Sequence, residues 1–265
     1  MIIGKNFFIS EMPKTGSTFL RNYLRKFKNI KLTMHHDTVD VNPKYKLLNK
    51  PQRISAIRSP YTWYLSIWRW SCIKKKKSPL YSDLTSRRLK LKRYRLCLNS
   101  IPFFITQITK DINNLKVLFS DINSRKNFNK FLTIMLTKKN KNYISSDYSF
   151  TKYDELGYMT FFLRRNLNDL FYSNQKFKKI IKIIDEKIYT NQFFKTEKLS
   201  NDLKKFLIKN GLSLKEIDEI DKNTTKNQIY KNYIKFFTKK NLKLIEKKEK
   251  YIFDKFNYRK ISKLN

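Results

Sequence analysis

Apolar and polar positions follow two rhythms along this chain. In the first 70 residues, short apolar runs alternate with stretches of helical spacing. Phe7-Phe8-Ile9 reads as a short strand and is followed by a tight loop through Gly16. Ser17 and Thr18 then carry the short hydroxyl side chains suited to a helix N-terminus. Phe19 or Leu20, then Tyr23, Leu24 and Phe27, recur at helical spacing, which predicts a helix from about Ser17 to Lys28. Ile30-Lys31-Leu32-Thr33-Met34 alternates as a strand does and ends in His35-His36-Asp37. Residues 38–52 are loop-like, with Pro43 and Pro51. Arg53-Ile54-Ser55-Ala56-Ile57 forms a short buried strand running into Arg58-Ser59-Pro60, where the proline disfavours helix in the residue before it. Tyr61 through Trp70 is helical by pattern and rich in aromatics. This order predicts an α/β fold with a central parallel sheet flanked by helices.

The second half is mostly helical by pattern. Phe128, Phe131, Leu132 and Met135 mark one buried helix face, Leu163, Leu167, Leu170 and Phe171 another. Leu199, Leu203, Phe206 and Leu207 mark a third, ending at Asn210-Gly211. Lys178 to Ile184 fits strand or helix equally. The polar run Asp221 to Asn227 separates helices, and a last amphipathic helix is expected from about Thr238 to Phe256. No internal repeat or linker is visible, so residues 1–265 are read as a single domain with a basic insertion at 74–95, from Lys74-Lys75-Lys76-Lys77 to Arg95.

Composition narrows this picture less than it first promises. Hydrophobic residues at 40% support a sizeable core and exclude a disordered chain. The 59 Lys+Arg against 21 Asp+Glu give a formal charge of +38, which attracts nucleic acid, an anionic membrane or an acidic glycan. Yet Lys, Asn and Ile abound everywhere, as a bias of the coding sequence would produce, so net charge alone defines no partner. The basic insertion reads first as a solvated loop and second as a dock for an acidic acceptor or nucleic acid, and its Tyr81 and Tyr94 are too sparse for a base-stacking platform. Cys72 and Cys97 offer neither metal spacing nor a disulfide framework. No apolar run approaches the roughly 20 residues of a membrane span, and Met1 to Gly4 is too short for a signal-peptide core. A cytoplasmic protein is the expectation.

The candidate chemistry lies at the first strand-to-helix junction. Gly16 can adopt positive φ or admit a ligand closely. A loop feeding a helix N-terminus gathers backbone N–H groups and the positive end of the helix dipole, which makes an anion site. Lys14 adds a full charge at its mouth. A nucleotide-triphosphate P-loop needs glycine five positions before Gly16 and lysine directly after it, but Glu11 and Ser17 stand there.

The order Pro13-Lys14-Thr15-Gly16-Ser17-Thr18-Phe19 resembles the 5′-phosphosulfate loop of sulfotransferases, Pro-Lys-Ser-Gly-Thr-Thr-Trp, position by position. The family's 3′-phosphate motif is a strand ending in Arg, a Pro two residues on and a Ser eight residues after the Arg. Arg58, Pro60 and Ser66 match it. Degenerate C-terminal features are also similar: Glu197-Lys198-Leu199, Asn223-Thr224-Thr225-Lys226, Tyr230 with Tyr233, and Lys255 to Tyr258.

This resemblance implies a P-loop-like sulfotransferase architecture and a sulfuryl donor, 3′-phosphoadenosine 5′-phosphosulfate (PAPS), with no metal. By it, Lys14 stabilises the leaving phosphate, and Thr15, Gly16, Ser17 and Thr18 cradle the phosphosulfate. Phe19 stands where the family stacks adenine on tryptophan. Arg58 and Ser66 clamp the 3′-phosphate, and Asn223, Thr224 and Lys226 make further donor contacts. A general base must take the acceptor's proton. His35 and His36 are the chain's two histidines, and since strand neighbours point to opposite faces only one should face the donor. His36 is favoured over His35, with Asp37 possible. The acceptor is expected to be a hydroxyl of a glycan, an acidic polymer or another small alcohol. Trp63, Trp68 and Trp70 could line a sugar site, though core packing fits most of them. The leading reading expects no specific nucleic acid. Two alternatives compete with it: a basic nucleic-acid or polyanion binder, which leaves both phosphate motifs unexplained, and a divergent P-loop nucleotide kinase.

Overall fold

Five short strands form one mixed sheet in the order β3-β1-β2-β4-β5: β1 (Ile2–Ile3), β2 (Phe7–Ser10), β3 (Lys31–Leu32), β4 (Gln52–Ile57) and β5 (Gln192–Lys195). The computed structural model describes residues 1–33, 50–87, 101–149, 156–163, 181–182, 184–186, 188–215, 217–218 and 232–261. Its fold is α/β as expected, with a sheet that is parallel in part and mixed as a whole. β2, β4 and β5 run parallel, whereas β1 pairs antiparallel with both β2 and β3. The reason is local: β1 and β2 are joined by a hairpin closed by the Gly4 N–H on the Phe7 carbonyl, 2.9 Å. A Cβ on Gly4 would lie 2.3 Å from the Phe7 ring, so only glycine allows that close approach.

The chain divides into two compact units, the first being Met1–Ser59, Phe162–Phe171 and Ile183–Tyr230. It contains the sheet, helix α1 (Ser17–Leu24) and a helix over Leu199–Lys209. Strand alternation sends Phe7, Ile9, Ile54, Ala56 and Phe194 to one face, where they pack with Leu20, Tyr23 and Leu24 of α1 and with Leu203, Phe206 and Leu207. The Phe7 ring meets Phe206 edge-on at 4.9 Å. Phe8 points to the other face, against Tyr189. Helix α1 stops short of the expected Lys28. The Phe27 N–H turns back to Leu24 and the Ile30 N–H to Phe27, and these tight turns keep both side chains against the core. The helix ending at Lys209 stops as expected, with Gly211 at φ 89°.

The second unit, Pro60–Phe161, Tyr172–Lys182 and Lys231–Asn265, is helical in its described residues. Helix α2 (Pro60–Ile73) starts on a proline, whose missing N–H is no loss at a first helical position, and is buried on nearly every side. Next come a tight turn at Lys75–Lys77, α3 (Pro79–Thr85), α4 (Ile101–Thr109), α5 (Ile112–Val117) and α6 (Arg125–Leu136). Short helices α7 (Ser146–Ser149) and α8 (Tyr158–Leu163) follow. Residues 74–87 of the basic insertion are thus ordered, with Leu80 and Leu84 buried, while 88–95 lie outside the described residues. Helix α6 carries the expected face, Phe128, Phe131, Leu132 and Met135, and is capped by the Ser124 hydroxyl. Trp63 and Trp68 are core residues, and the Trp68 indole N–H donates to the Leu118 carbonyl, 2.9 Å.

With the helix at Leu199–Lys209 counted as α9, the expected helix from Thr238 to Phe256 is two, α10 (Lys239–Lys248) and α11 (Lys250–Lys255). The break falls at Glu249, and its cause is tertiary. The Gly157 N–H takes the Lys248 carbonyl, and the wholly buried Glu249 carboxylate accepts from the Met159 and Thr160 N–H groups, the Thr160 hydroxyl and the Tyr64 hydroxyl. Glu249 therefore caps α8 from across the unit. Burial nevertheless holds its carboxyl above the usual range, against those four hydrogen bonds. Among the described residues no helix is long and apolar enough to cross a membrane.

Candidate functional site

Parallel pairing places the carboxyl ends of β2, β4 and β5 at one edge of the sheet. Ser10 is opposite Ser55, and Ile57 is opposite Lys195. Loops leaving such ends are where open α/β sheets hold ligands. Here they are residues 11–16, Arg58-Ser59 and Thr196-Glu197.

The first loop is shaped by two residues in the left-handed region, Lys14 at φ 64° and Gly16 at φ 96°. For lysine that conformation is costly, and the surrounding bonds hold it there. The Thr15 hydroxyl donates to the Met12 carbonyl, 2.8 Å. Arg58 donates through Nη1 to the Lys14 carbonyl, 3.2 Å. The Thr196 hydroxyl lies 3.0 Å from the Thr15 carbonyl oxygen and 2.9 Å from that of Ile57, sharing one proton between them. The Ser59 N–H donates to the Glu197 carboxylate, 2.9 Å. All three strand ends are thereby tied to one another.

At the root of the loop, Glu11 accepts from Arg21 through both carboxylate oxygens, at 2.7 and 2.5 Å. Arg21 also reaches the Thr33 carbonyl, and the Met1 amino group lies 3.0 Å from Glu11 Oε2. Burial alone would raise the Glu11 carboxyl. The Arg21 hydrogen bonds and the amino-terminal charge instead hold it below the usual range. Helix α1 is thus fastened to the loop that precedes it.

The result is a cationic mouth over a helix N-terminus. Gly16 caps α1 without a side-chain hydrogen bond, and the first-turn N–H groups of a helix have no partner within it. Arg58 is buried and Lys14 half-buried beside it. Lys14 is held down to a pKa of about 8, first by burial and then by the Arg58 charge. Two cations brought together against both desolvation and mutual repulsion make a site that gains from an anion.

Lys14, Thr15, Gly16, Ser17, Thr18 and Arg58 therefore gather at this edge, Thr15 and Ser17 buried and Thr18 exposed. Phe19 is half-buried, 5.8 Å from the Tyr23 ring, and packs on the core cluster. Ser66 is buried on α2, in the second unit. His35, His36 and Asp37 lie outside the described residues, as do Asn223, Thr224 and Lys226. Cys72 is a poor nucleophile: burial pushes its thiol up to about 12. Thr196 was missed in the sequence. The signal available was the apolar pair Phe193-Phe194 running into Thr196-Glu197 just ahead of a helix. No protein-family model, no curated protein and no solved structure matches this chain.

Proposed function

We propose that the chain is a PAPS-dependent sulfotransferase acting on an acceptor hydroxyl, of a glycan or another small alcohol. The observation that carries this reading is the joining of Lys14 and Arg58 at one sheet edge over the N-terminus of α1. PAPS supplies an activated sulfuryl group and bears anions at both the 5′ and 3′ positions of one nucleoside. The loop's N–H groups and the Ser17 and Thr18 hydroxyls suit the 5′ end. Lys14 would meet the charge that develops on the bridging oxygen as the S–O bond breaks, an interaction stronger in the transition state than before it. Arg58 presents the planar donor fork suited to the 3′-phosphate, with Ser66 the second contact that the sequence resemblance implies. His36 or His35 would take the acceptor proton as the new O–S bond forms, and Asn223, Thr224 and Lys226 would add donor contacts.

Calorimetric titration with 3′-phosphoadenosine 5′-phosphate (PAP) tests this. Binding is expected, and Arg58→Ala should weaken it by about 10- to 100-fold, the worth of one charge-assisted contact. The same substitution should change AMP binding much less. No binding of PAP at high micromolar concentration overturns the reading. Equal loss for PAP and AMP, with a steep salt dependence, would favour a polyanion binder instead.

A second prediction follows from Lys14. An anion bound beside it raises its pKa, so above about 8 the complex holds a proton that the free chain has released. Affinity for PAP should accordingly fall with rising pH, by up to about tenfold per unit between roughly pH 8 and 9.5. Lys14→Arg, charged throughout this range, should flatten the profile.

A further inference from the structure

We propose that α4, with the turn at Lys138–Tyr143 beside it, is a docking face for an anionic lipid bilayer. Single exposed apolar side chains are ordinary, but α4 carries a row of them. Ile101, Ile105 and Ile108 are 51%, 57% and 58% exposed, spaced i, i+4 and i+7 along one face, while Phe103 and Gln107 are buried on the other. Val117, 53% exposed, ends the next helix. Nothing in the sequence of α4 is charged.

This row is rigidly presented. Lys110, directly after α4, is buried and its ammonium donates to the carbonyls of Asp83, Ser86 and Tyr143 and to Gln107 Oε1, at 2.8 to 3.2 Å. Gln107 donates in turn to the Asn142 carbonyl. The end of α4 is so bound both to the end of α3 and to the turn at Lys138–Tyr143.

The surroundings select the occupant. Lys138 and Lys139 are exposed on that turn, and Lys116 is exposed on α5. In residues 101–117 and 138–143 the single acidic side chain is Asp111, which accepts from the Asn114 N–H as the cap of α5. A short apolar stripe flanked by lysines fits the boundary of an anionic bilayer, with isoleucines at the acyl chains and ammonium groups at the headgroups. A second copy of this chain would set lysines against lysines. A nucleic acid would leave the isoleucines in water.

Flotation with phosphatidylcholine vesicles, with and without about 30% phosphatidylserine, tests the proposal using the full chain. The net charge of +38 will itself draw the chain to anionic vesicles, so the isoleucines must be tested separately. Ile105→Asp/Ile108→Asp should lower partitioning at least about tenfold, including at about 0.5 M salt, where the screening length is only about 4 Å. Lys138→Glu/Lys139→Glu should weaken low-salt binding to the anionic vesicles at least about 30-fold and leave binding to neutral ones unchanged. All four positions are exposed, so the thermal midpoint should not move. Unchanged partitioning of the isoleucine variant overturns the proposal. So does a dimeric parent that the same variant renders monomeric in analytical ultracentrifugation, which would make the face a contact between copies.

Discussion

Lys14→Met is expected to lower sulfuryl transfer about 10³-fold while leaving the chain folded and somewhat more stable. The loss follows from the proposed role, since a preorganised donor aimed at developing charge is typically worth 10²- to 10³-fold, and an ammonium more. The gain follows from the pKa. Folding lowers Lys14 from 10.5 to about 8, so the unfolded chain binds the proton more tightly. Stability therefore rises with pH between those values, and the full penalty is present below about 8. Methionine keeps the length and removes the charge, and it occupies φ 64° no more comfortably than lysine, so backbone strain cancels in the comparison. At pH 7 the thermal midpoint should rise by a few degrees, and the gain should shrink near pH 10. Transfer is read by mass spectrometry, with isotope-labelled PAPS, in whichever acceptor pool the parent labels. A variant that transfers as well as the parent removes the role assigned to Lys14, whatever its stability.

The part of this site carried by local pattern was legible, and the part carried by pairing across the fold was not. From Phe7 to Leu24 each signal lies within a few residues of the next: an apolar run, a glycine, two hydroxyls and helical spacing. Strand, loop and helix occur there as expected. Residues Ile2-Ile3 and Phe193-Phe194 are runs too short to mark strands. Their state is set by pairing rather than by their own pattern, with Ile9 across a short hairpin and the distant Leu32 for Ile2, and the distant Ser55 for Phe193. The antiparallel edge and Thr196 were hidden for that reason. The nearness of Arg58 to Lys14 was implied only by resemblance to a known pair of motifs, because no periodicity links residues 44 apart. Glu249 shows the opposite failure. Its local pattern continues a helix, and a buried carboxylate answering four donors ends it.

Glu11→Ala is expected to be among the most destabilising single changes in the chain, by about 3–5 kcal/mol. Glu11 stands where a nucleotide P-loop would need glycine, and its carboxylate is fully buried against Arg21. Truncation takes the carboxylate counter-charge from the Arg21 side chain, 8% exposed, and from the buried Met1 amino group. Against a total stability of about 5–15 kcal/mol, that is a large fraction, and the thermal midpoint should drop by roughly 6–20 °C. The pair is costly to bury as well as to break. Glu11→Leu combined with Arg21→Met should therefore restore part of the loss, since the Met1 ammonium also loses the Glu11 carboxylate. Acid distinguishes the coupling from simple loss of packing. Because folding depresses the Glu11 carboxyl, its contribution is present above its ordinary value of 4.5 and disappears as pH falls through the lower folded value. Parent and Glu11→Ala should thus converge in stability on acidification, with thermal unfolding followed by circular dichroism. The double variant, with no Glu11 to protonate, should not follow the parent down. Losses that simply add in the double variant would show that Glu11 and Arg21 are not coupled. In that case the loop's hold on α1 must lie in Thr15, Thr196 and the αL turn at Gly16 rather than in the ion pair.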